Sequence, residues 1–239
     1  MTESAKKLKD LVDGSDNIVF FGGAGVSTES GIPDFRSEDG LYRQQYDYPP
    51  ETILSHTFYE SKPEEFFRFY RAKLLCPGVQ PNAAHRKLAE LERKGKLKAV
   101  ITQNIDGLHQ AAGSRTVLEL HGSVLRNYCE ACGRVYGFDF MLRSQGVPRC
   151  PACGGRVKPD VVLYEEGLDL ELMERAARYI AEADMLIIGG TSLNVYPAAG
   201  LLRWYRGHKL ALINKSAVAA DLAADLVITD PIGQTLAQI

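Results

Sequence analysis

The sequence predicts an α/β fold: a doubly wound parallel sheet with a smaller second domain formed by two insertions. Three observations predict it. Short apolar runs recur at 18–21, 97–102, 117–120, 161–164, 185–188, 210–213 and 226–228. Helical patterns alternate with several of them. Two stretches, 40–77 and 127–158, break that alternation; the first is rich in Tyr and Phe, and the second holds four of the 5 cysteines.

The first run, Ile18-Val19-Phe20-Phe21, has no polar residue and reads as a buried parallel strand. It empties into Gly22-Gly23-Ala24-Gly25, where missing Cβ atoms let the backbone approach a phosphate. That is the start of a dinucleotide site, although the turn read alone also fits a strand-to-loop turn with no ligand. With Gly23 and Gly25 as the first two glycines of G-x-G-x-x-G, the third would fall at Thr28. The acidic residue that grips an adenosine ribose stands ~20 positions further on in that motif. Only Asp47, in a loop rich in Tyr and Pro, is near that place. The expectation is a dinucleotide used for something other than hydride transfer.

A helix is predicted over 82–94, entered through Pro81-Asn82 with Ala84, Leu88 and Leu91 on one face. The strand at 97–102 then ends in Gln103-Asn104-Ile105-Asp106-Gly107-Leu108-His109. Asp106 fits the N-cap of a short helix over 107–112, which would leave His109 on its surface. Run 117–120 leads into His121-Gly122, a strand end suited to a general base of near-neutral pKa. A histidine satisfied by a backbone carbonyl fits the same position. A helix over 170–182 aligns Leu172, Ala176 and Ile180, and one over 197–205 opens with Pro197. Between them, Gly189-Gly190-Thr191-Ser192-Leu193-Asn194 is either a strand-to-helix turn or a second phosphate cradle.

The 239 residues carry a net charge of −2, with 45% apolar and 24% charged residues. That is ordinary for a soluble globule and gives no general pull toward nucleic acid or anionic membrane. No run approaches the ~18 apolar residues of a membrane span. Residues 1–10 are polar and lack a signal-peptide core. A cytoplasmic location is expected, with no nucleic-acid or membrane partner. There, paired cysteines bind metal more often than they form disulfides.

Cys129-x-x-Cys132 and Cys150-x-x-Cys153 are separated by 17 residues, 133 to 149. That matches the tetrahedral zinc pattern. Gly133 and Gly154, directly after the pairs, permit the tight turns it needs. Four sulfur ligands leave no open position, so one structural Zn²⁺ is expected. A redox dithiol fits two matched pairs poorly. Cys76 stands outside the pattern and reads as a small buried hydrophobe.

Taken together these residues resemble the sirtuins, NAD-dependent protein lysine deacylases. The resemblance rests on Gly23-Ala24-Gly25-Val26-Ser27 with Ser30-Gly31-Ile32-Pro33-Asp34-Phe35-Arg36, on Thr102-Gln103-Asn104-Ile105-Asp106-Gly107-Leu108-His109, on Leu120-His121-Gly122, on both cysteine pairs, and on Gly190-Thr191-Ser192-Leu193 with Pro197-Ala198-Ala199. It implies a discontinuous Rossmann-type NAD-binding domain over 1–36, 77–124 and 160–239. The small domain would be a helical insertion, 37–76, plus the zinc module, 125–159. It also implies roles. Ala24, Thr28 and Arg36 would lie along the NAD phosphates and ribose, with Phe35 over the nicotinamide ribose. Gln103 and Asn104 would hold that ribose, and Ile105 and Asp106 the nicotinamide amide. Thr191 and Ser192 would contact phosphate, Asn214 the adenosine ribose and Ile232 the adenine.

In the implied reaction the acyl oxygen displaces nicotinamide. His121, as base, then deprotonates a ribose hydroxyl, with Asn104 and Asp106 completing the catalytic set. The products would be free lysine, nicotinamide and O-acetyl-ADP-ribose. An acyl-lysine protein or peptide would lie as an extended strand near Val162 and Leu193. The rivals are an ADP-ribosyltransferase on the same fold and a non-catalytic NAD or ADP-ribose sensor; the intact Asn104, Asp106 and His121 favour the deacylase.

The sequence departs from the family pattern in places. Gly22 replaces a usual threonine, and Val161-Val162-Leu163-Tyr164-Glu165-Glu166-Gly167-Leu168 replaces the usual Phe-Gly-Glu substrate loop. Tyr70-x-x-Lys73 stands where the desuccinylating branch has Tyr-x-x-Arg, and Leu54 where it has alanine. Lysine lacks the planar fork that grips a carboxylate, so a neutral acyl group is expected.

Overall fold

The computed structural model describes residues 1–34, 47–215 and 224–239. Nine strands form two sheets among these residues: β1 Ile18–Gly22, β2 Leu97–Thr102, β3 Val117–Glu119, β4 Gly122–Cys129, β5 Val135–Gly137, β6 Val157–Val161, β7 Met185–Gly189, β8 Leu210–Ile213 and β9 Leu226–Ile228. The helices are α1 Glu3–Asp13, α2 Pro50–Ile53, α3 His56–Ser61, α4 Pro63–Lys73, α5 Ala83–Arg93, α6 Leu108–Ala111, α7 Phe138–Arg143, α8 Leu170–Glu182 and α9 Ile232–Leu236.

The larger sheet runs β3-β2-β1-β7-β8-β9, and its neighbours pair in parallel. Alternate residues of each strand face opposite sides. Val19, Phe21, Ile101, Leu186 and Ile188 meet Ala176 and Ile180 of α8 on one face. Ile18, Phe20, Val100 and Ile187 meet Leu8 and Val12 of α1 and Leu88 and Leu91 of α5 on the other. Helices on both faces explain why β1, β7 and β8 are buried at every position and carry continuous apolar runs. Asn82 caps α5 as its sequence suggests, accepting from the Ala84 N–H at 2.9 Å.

The smaller sheet, β5-β4-β6, is antiparallel. Phe58, Tyr59, Phe66, Phe67 and Tyr70 pack with Val124, Cys129, Met141, Val157 and Leu163 in one apolar cluster. The helical insertion and the cysteine-bearing segment therefore share a core.

Two expectations need correction. The strand predicted over 161–164 lies earlier, over Val157–Val161, in the antiparallel sheet. Pro159 lies inside it, but β6 is an edge and its register against β4 shifts between Ser123 and Asn127, so the missing N–H is tolerated. The helix over 197–205 is a 3₁₀ helix, Ala198–Trp204.

Candidate active site

The chain grows from β1 toward β3 on one side and resumes from β7 on the other, so β1 and β7 form the switch point where open α/β sheets bind ligands. Gly22 and Gly189 pair there. The two turns beyond them interlock: the Gly25 N–H donates to the Gly190 carbonyl at 2.8 Å, and the Gly23 N–H to the Gly189 carbonyl at 3.2 Å. A Cβ on Gly25 would lie 2.8 Å from the Gly190 Cα, and one on Gly190, whose φ is +59°, only 2.3 Å from the Val26 nitrogen. The mutual approach of two backbones therefore demands these glycines even before a ligand is considered.

Over this point opens a cleft of about 1310 Å³. That exceeds the ~300–1,000 Å³ typical of sites for single drug-sized ligands. Ala24, Thr28, Gln103, Asn104, Ile105, Asp106, His121, Thr191, Ser192, Asn214 and Ile232 all line it. Phe35 and Arg36 lie outside the described residues. Val162 lines the cleft, but Leu193 turns inward with 5% of its surface exposed, and Val195 takes its place at the wall. The Val162 N–H is already given to the His121 carbonyl at 3.0 Å.

A hydrogen-bonded set fixes the polar floor. The Asn104 amide donates to Ser27 Oγ at 3.1 Å, and the Ser27 hydroxyl donates to Asp106 Oδ2 at 2.6 Å. Asp106 Oδ1 accepts from the Leu108 N–H at 2.9 Å, but the N-cap of α6 is Gly107, with φ of +73°, and Asp106 stands one position before it. Gln103 donates to Thr191 Oγ1 at 3.0 Å, joining the two sides of the switch point. Ser27, 1% exposed, is a bridging residue that reading from strand ends missed. Its place after Gly-Ala-Gly-Val was the available signal.

His121 follows β3 and precedes Gly122, where a Cβ would collide with the Asp160 carbonyl at 2.0 Å. Its Nδ1 lies 3.0 Å from the Gln103 carbonyl, so Nδ1 carries the proton and Nε2 is left as the acceptor. Burial holds its pKa below the ordinary histidine range, an effect partly opposed by that carbonyl. The histidine is thus satisfied by a backbone carbonyl at one ring nitrogen and keeps an acceptor at the other.

His109 is not on a surface. It is 1% exposed because α6 packs on α5, with its ring 4.7 Å from that of His85 and 6.1 Å from that of Phe20. Both its ring nitrogens and His85 Nε2 have no hydrogen-bond partner among the described residues. Cys76 is only half buried and lines the cleft, as do Leu54 and Lys73. Tyr70 is fully buried in the aromatic cluster, stacked on Phe66 at 5.8 Å.

The four cysteine sulfurs lie within 4.8 Å of one another. Cys129 and Cys153 sulfurs are 3.4 Å apart, and those of Cys132 and Cys150 3.7 Å, too far for S–S bonds. Tetrahedral Zn–S bonds of ~2.3 Å separate sulfurs by ~3.8 Å, so the set fits zinc. Gly133 and Gly154 have φ of +71° and +74°, as the turns require.

Interlocked glycine turns at a switch point, a histidine with a free acceptor nitrogen and a closed four-thiol cluster define a dinucleotide-site protein with a metal-stapled module. The chain belongs to the Sir2 family, whose profile matches residues 23–197. It is 60% identical over 242 residues to an NAD-dependent protein deacetylase of Clostridium perfringens, covering 100% of this chain and 99% of that protein. A counterpart of the same description in Clostridium acetobutylicum is 58% identical, covering 99% and 98%. Among solved structures, a Sir2–p53 peptide–NAD+ complex aligns with a TM-score of 0.85 at 38% identity over 99% of this chain and 96% of that one. A Sir2 complex with deacetylated p53 peptide and 3'-O-acetyl ADP ribose aligns at 0.88 and 37%, over 98% and 96%.

Proposed function

We propose that this protein is an NAD-dependent protein lysine deacetylase, which consumes NAD and releases nicotinamide, O-acetyl-ADP-ribose and deacetylated lysine. The observation that carries the proposal is the position of His121. Its acceptor nitrogen belongs to the same cleft as the Asn104–Ser27–Asp106 set and the interlocked glycine turns. NAD bound there supplies an electrophilic anomeric carbon once nicotinamide departs.

The residues then have distinct tasks. The two turns, with Ala24, Thr28, Thr191 and Ser192, hold phosphate. Asn214 and Ile232 receive the adenosine end, and Phe35 and Arg36 complete the cover. Gln103 and Asn104 orient the nicotinamide ribose, and Ile105 and Asp106 the nicotinamide amide. The Gln103 carbonyl fixes the His121 tautomer so that Nε2 faces a ribose hydroxyl and takes its proton. The acyl-lysine enters as an extended segment between Val162 and the Leu193–Val195 turn. Because the Val162 N–H is engaged by His121, the pairing there falls to its carbonyl. Cys129, Cys132, Cys150 and Cys153 hold a structural zinc within the small domain, 37–76 with 125–159.

The acyl group is neutral. Leu54 fills the cleft wall, Lys73 offers a point charge without a fork, and the Tyr70 ring is enclosed among aromatics. Mass spectrometry of an acetyl-lysine peptide incubated with NAD tests the proposal. Loss of the acetyl group with appearance of O-acetyl-ADP-ribose is expected. An intact peptide, with ADP-ribose joined to protein, would instead indicate a transferase.

A further inference from the structure

The segment 162–166 forms the cleft wall beside His121. Within it Glu165 has φ of +75°. Glu165 and Leu193, with φ of +57°, are the two non-glycine residues with left-handed backbone among the described ones. Both belong to the loops that flank the cleft. Such a conformation strains any residue with a Cβ and persists only where contacts enforce it.

Hydrogen bonds at both ends of the segment enforce it. The Tyr164 N–H donates to the Leu54 carbonyl, and the His56 N–H to the Tyr164 carbonyl, each at 3.0 Å. Glu165 Oε2 accepts from both the Thr57 N–H at 2.9 Å and the Thr57 hydroxyl at 2.7 Å. Next to it, Glu166 reaches His56 Nδ1 at 2.9 Å and accepts from the Leu163 N–H at 2.9 Å and the buried Lys158 at 3.2 Å. At the other end, Val162 is tied to the His121 carbonyl. The segment thus bridges the residue bearing the base and the first turn of α3. A glycine at 165 would adopt this backbone without strain, so the glutamate is held for its carboxylate.

We propose that Glu165 is a positioning residue: by gripping Thr57 it locks the cleft wall against which the acyl-lysine peptide is laid. It governs how tightly that peptide binds and leaves the chemical step alone. This rests on the deacetylase reading given above.

Steady-state kinetics with an acetyl-lysine peptide and NAD, alongside thermal melts, test it on wild type, Glu165→Gly, Glu165→Gln and Thr57→Val. Glu165→Gly is expected to raise the peptide KM about tenfold, with kcat and the NAD KM moving less than about threefold. Its melting temperature should stay level or rise, because glycine relieves the left-handed strain. Glu165→Gln, whose amide oxygen still accepts, should stay within about threefold of wild type. Thr57→Val, which keeps the N–H and loses the hydroxyl, should fall between. A Glu165→Gly peptide KM within about twofold of wild type overturns the proposal. So does a KM rise that merely accompanies a lower melting temperature, since that is a structural effect. A wild-type protein that frees no lysine overturns the deacetylase reading and this proposal with it. Wild-type turnover with an unmoved KM overturns this one alone.

Discussion

The parallel sheet and the small antiparallel sheet beside it are stabilised by different means. β1, β7 and β8 bury every residue between two layers of helices. In the small sheet, Val135 of β5 is 69% exposed, and four cysteine sulfurs converge beside the aromatic cluster, two of the cysteines buried and two exposed. One region folds on apolar strands between helices and the other on an aromatic cluster joined to four thiols suited to zinc, yet the cleft takes residues from both. His121 and the glycine turns come from the large sheet's strand ends, and Leu54 and Lys73 from the helical insertion.

The contrast breaks most sharply at the metal. Structural zinc sites carry ~10–16 kcal/mol of binding energy that is also folding energy. Cys129→Ser should release zinc, melt the small sheet and abolish deacetylation, while the large sheet keeps its circular dichroism. A variant with one zinc per chain and an unchanged melting temperature would contradict this.

The next largest effect belongs to the other region. His121→Ala removes a positioned base and should lower kcat by ~10²–10⁴-fold. Calorimetric NAD affinity should stay close to wild type. More than a tenth of the wild-type turnover would sink the assigned role.

The large sheet has its own weak point in acid. Burial pushes His85 down to about 4 and His109 down to about 3, with the nearby Asp106 only partly opposing the shift at His85. In the unfolded chain both titrate near 6.5. Between these values the unfolded state binds protons that the folded state refuses, so stability is intact above about pH 6.5 and falls as pH drops toward 4. At pH 5 each histidine should cost about 2 kcal/mol. His109→Phe, which leaves no ring nitrogen to protonate, should lose less urea resistance between pH 7 and 5 than wild type. Equal losses would show that the pair is not responsible.

The smallest effect sharpens the small region's share. Acetyl peptides should exceed succinyl peptides in kcat/KM by at least about tenfold, or ~1.4 kcal/mol. Equal rates would mean that Lys73 serves a distal carboxylate, and Lys73→Ala should then remove only the succinyl activity.

Sequence reading reached the large sheet because a strand buried on both faces must be continuously apolar, and Ile18 to Phe21 and Met185 to Ile188 are. The cysteine spacing likewise fixed the thiol cluster, since ligand geometry is local. The antiparallel strands were harder. β4 runs through Arg126-Asn127-Tyr128 and β6 through Lys158-Pro159-Asp160, with neither clean alternation nor strong propensity. They form because the cysteine knuckles and the aromatic cluster hold them. His109 was misplaced for a similar reason: a four-residue helix has no periodicity from which to read its inward face. The interlock of Gly25 with Gly190 and the Ser27 bridge join residues far apart in sequence, and only the fold reveals such contacts.

On the proposed reading, NAD is consumed as an electrophile by acyl-lysine in a single cleft. The direct measurement counts nicotinamide released against lysine freed from an acetylated peptide in one reaction mixture. The expected result is one nicotinamide per lysine, with His121→Ala freeing lysine far more slowly. Lysine freed without nicotinamide, or nicotinamide released while every acetyl-lysine stays intact, would contradict it.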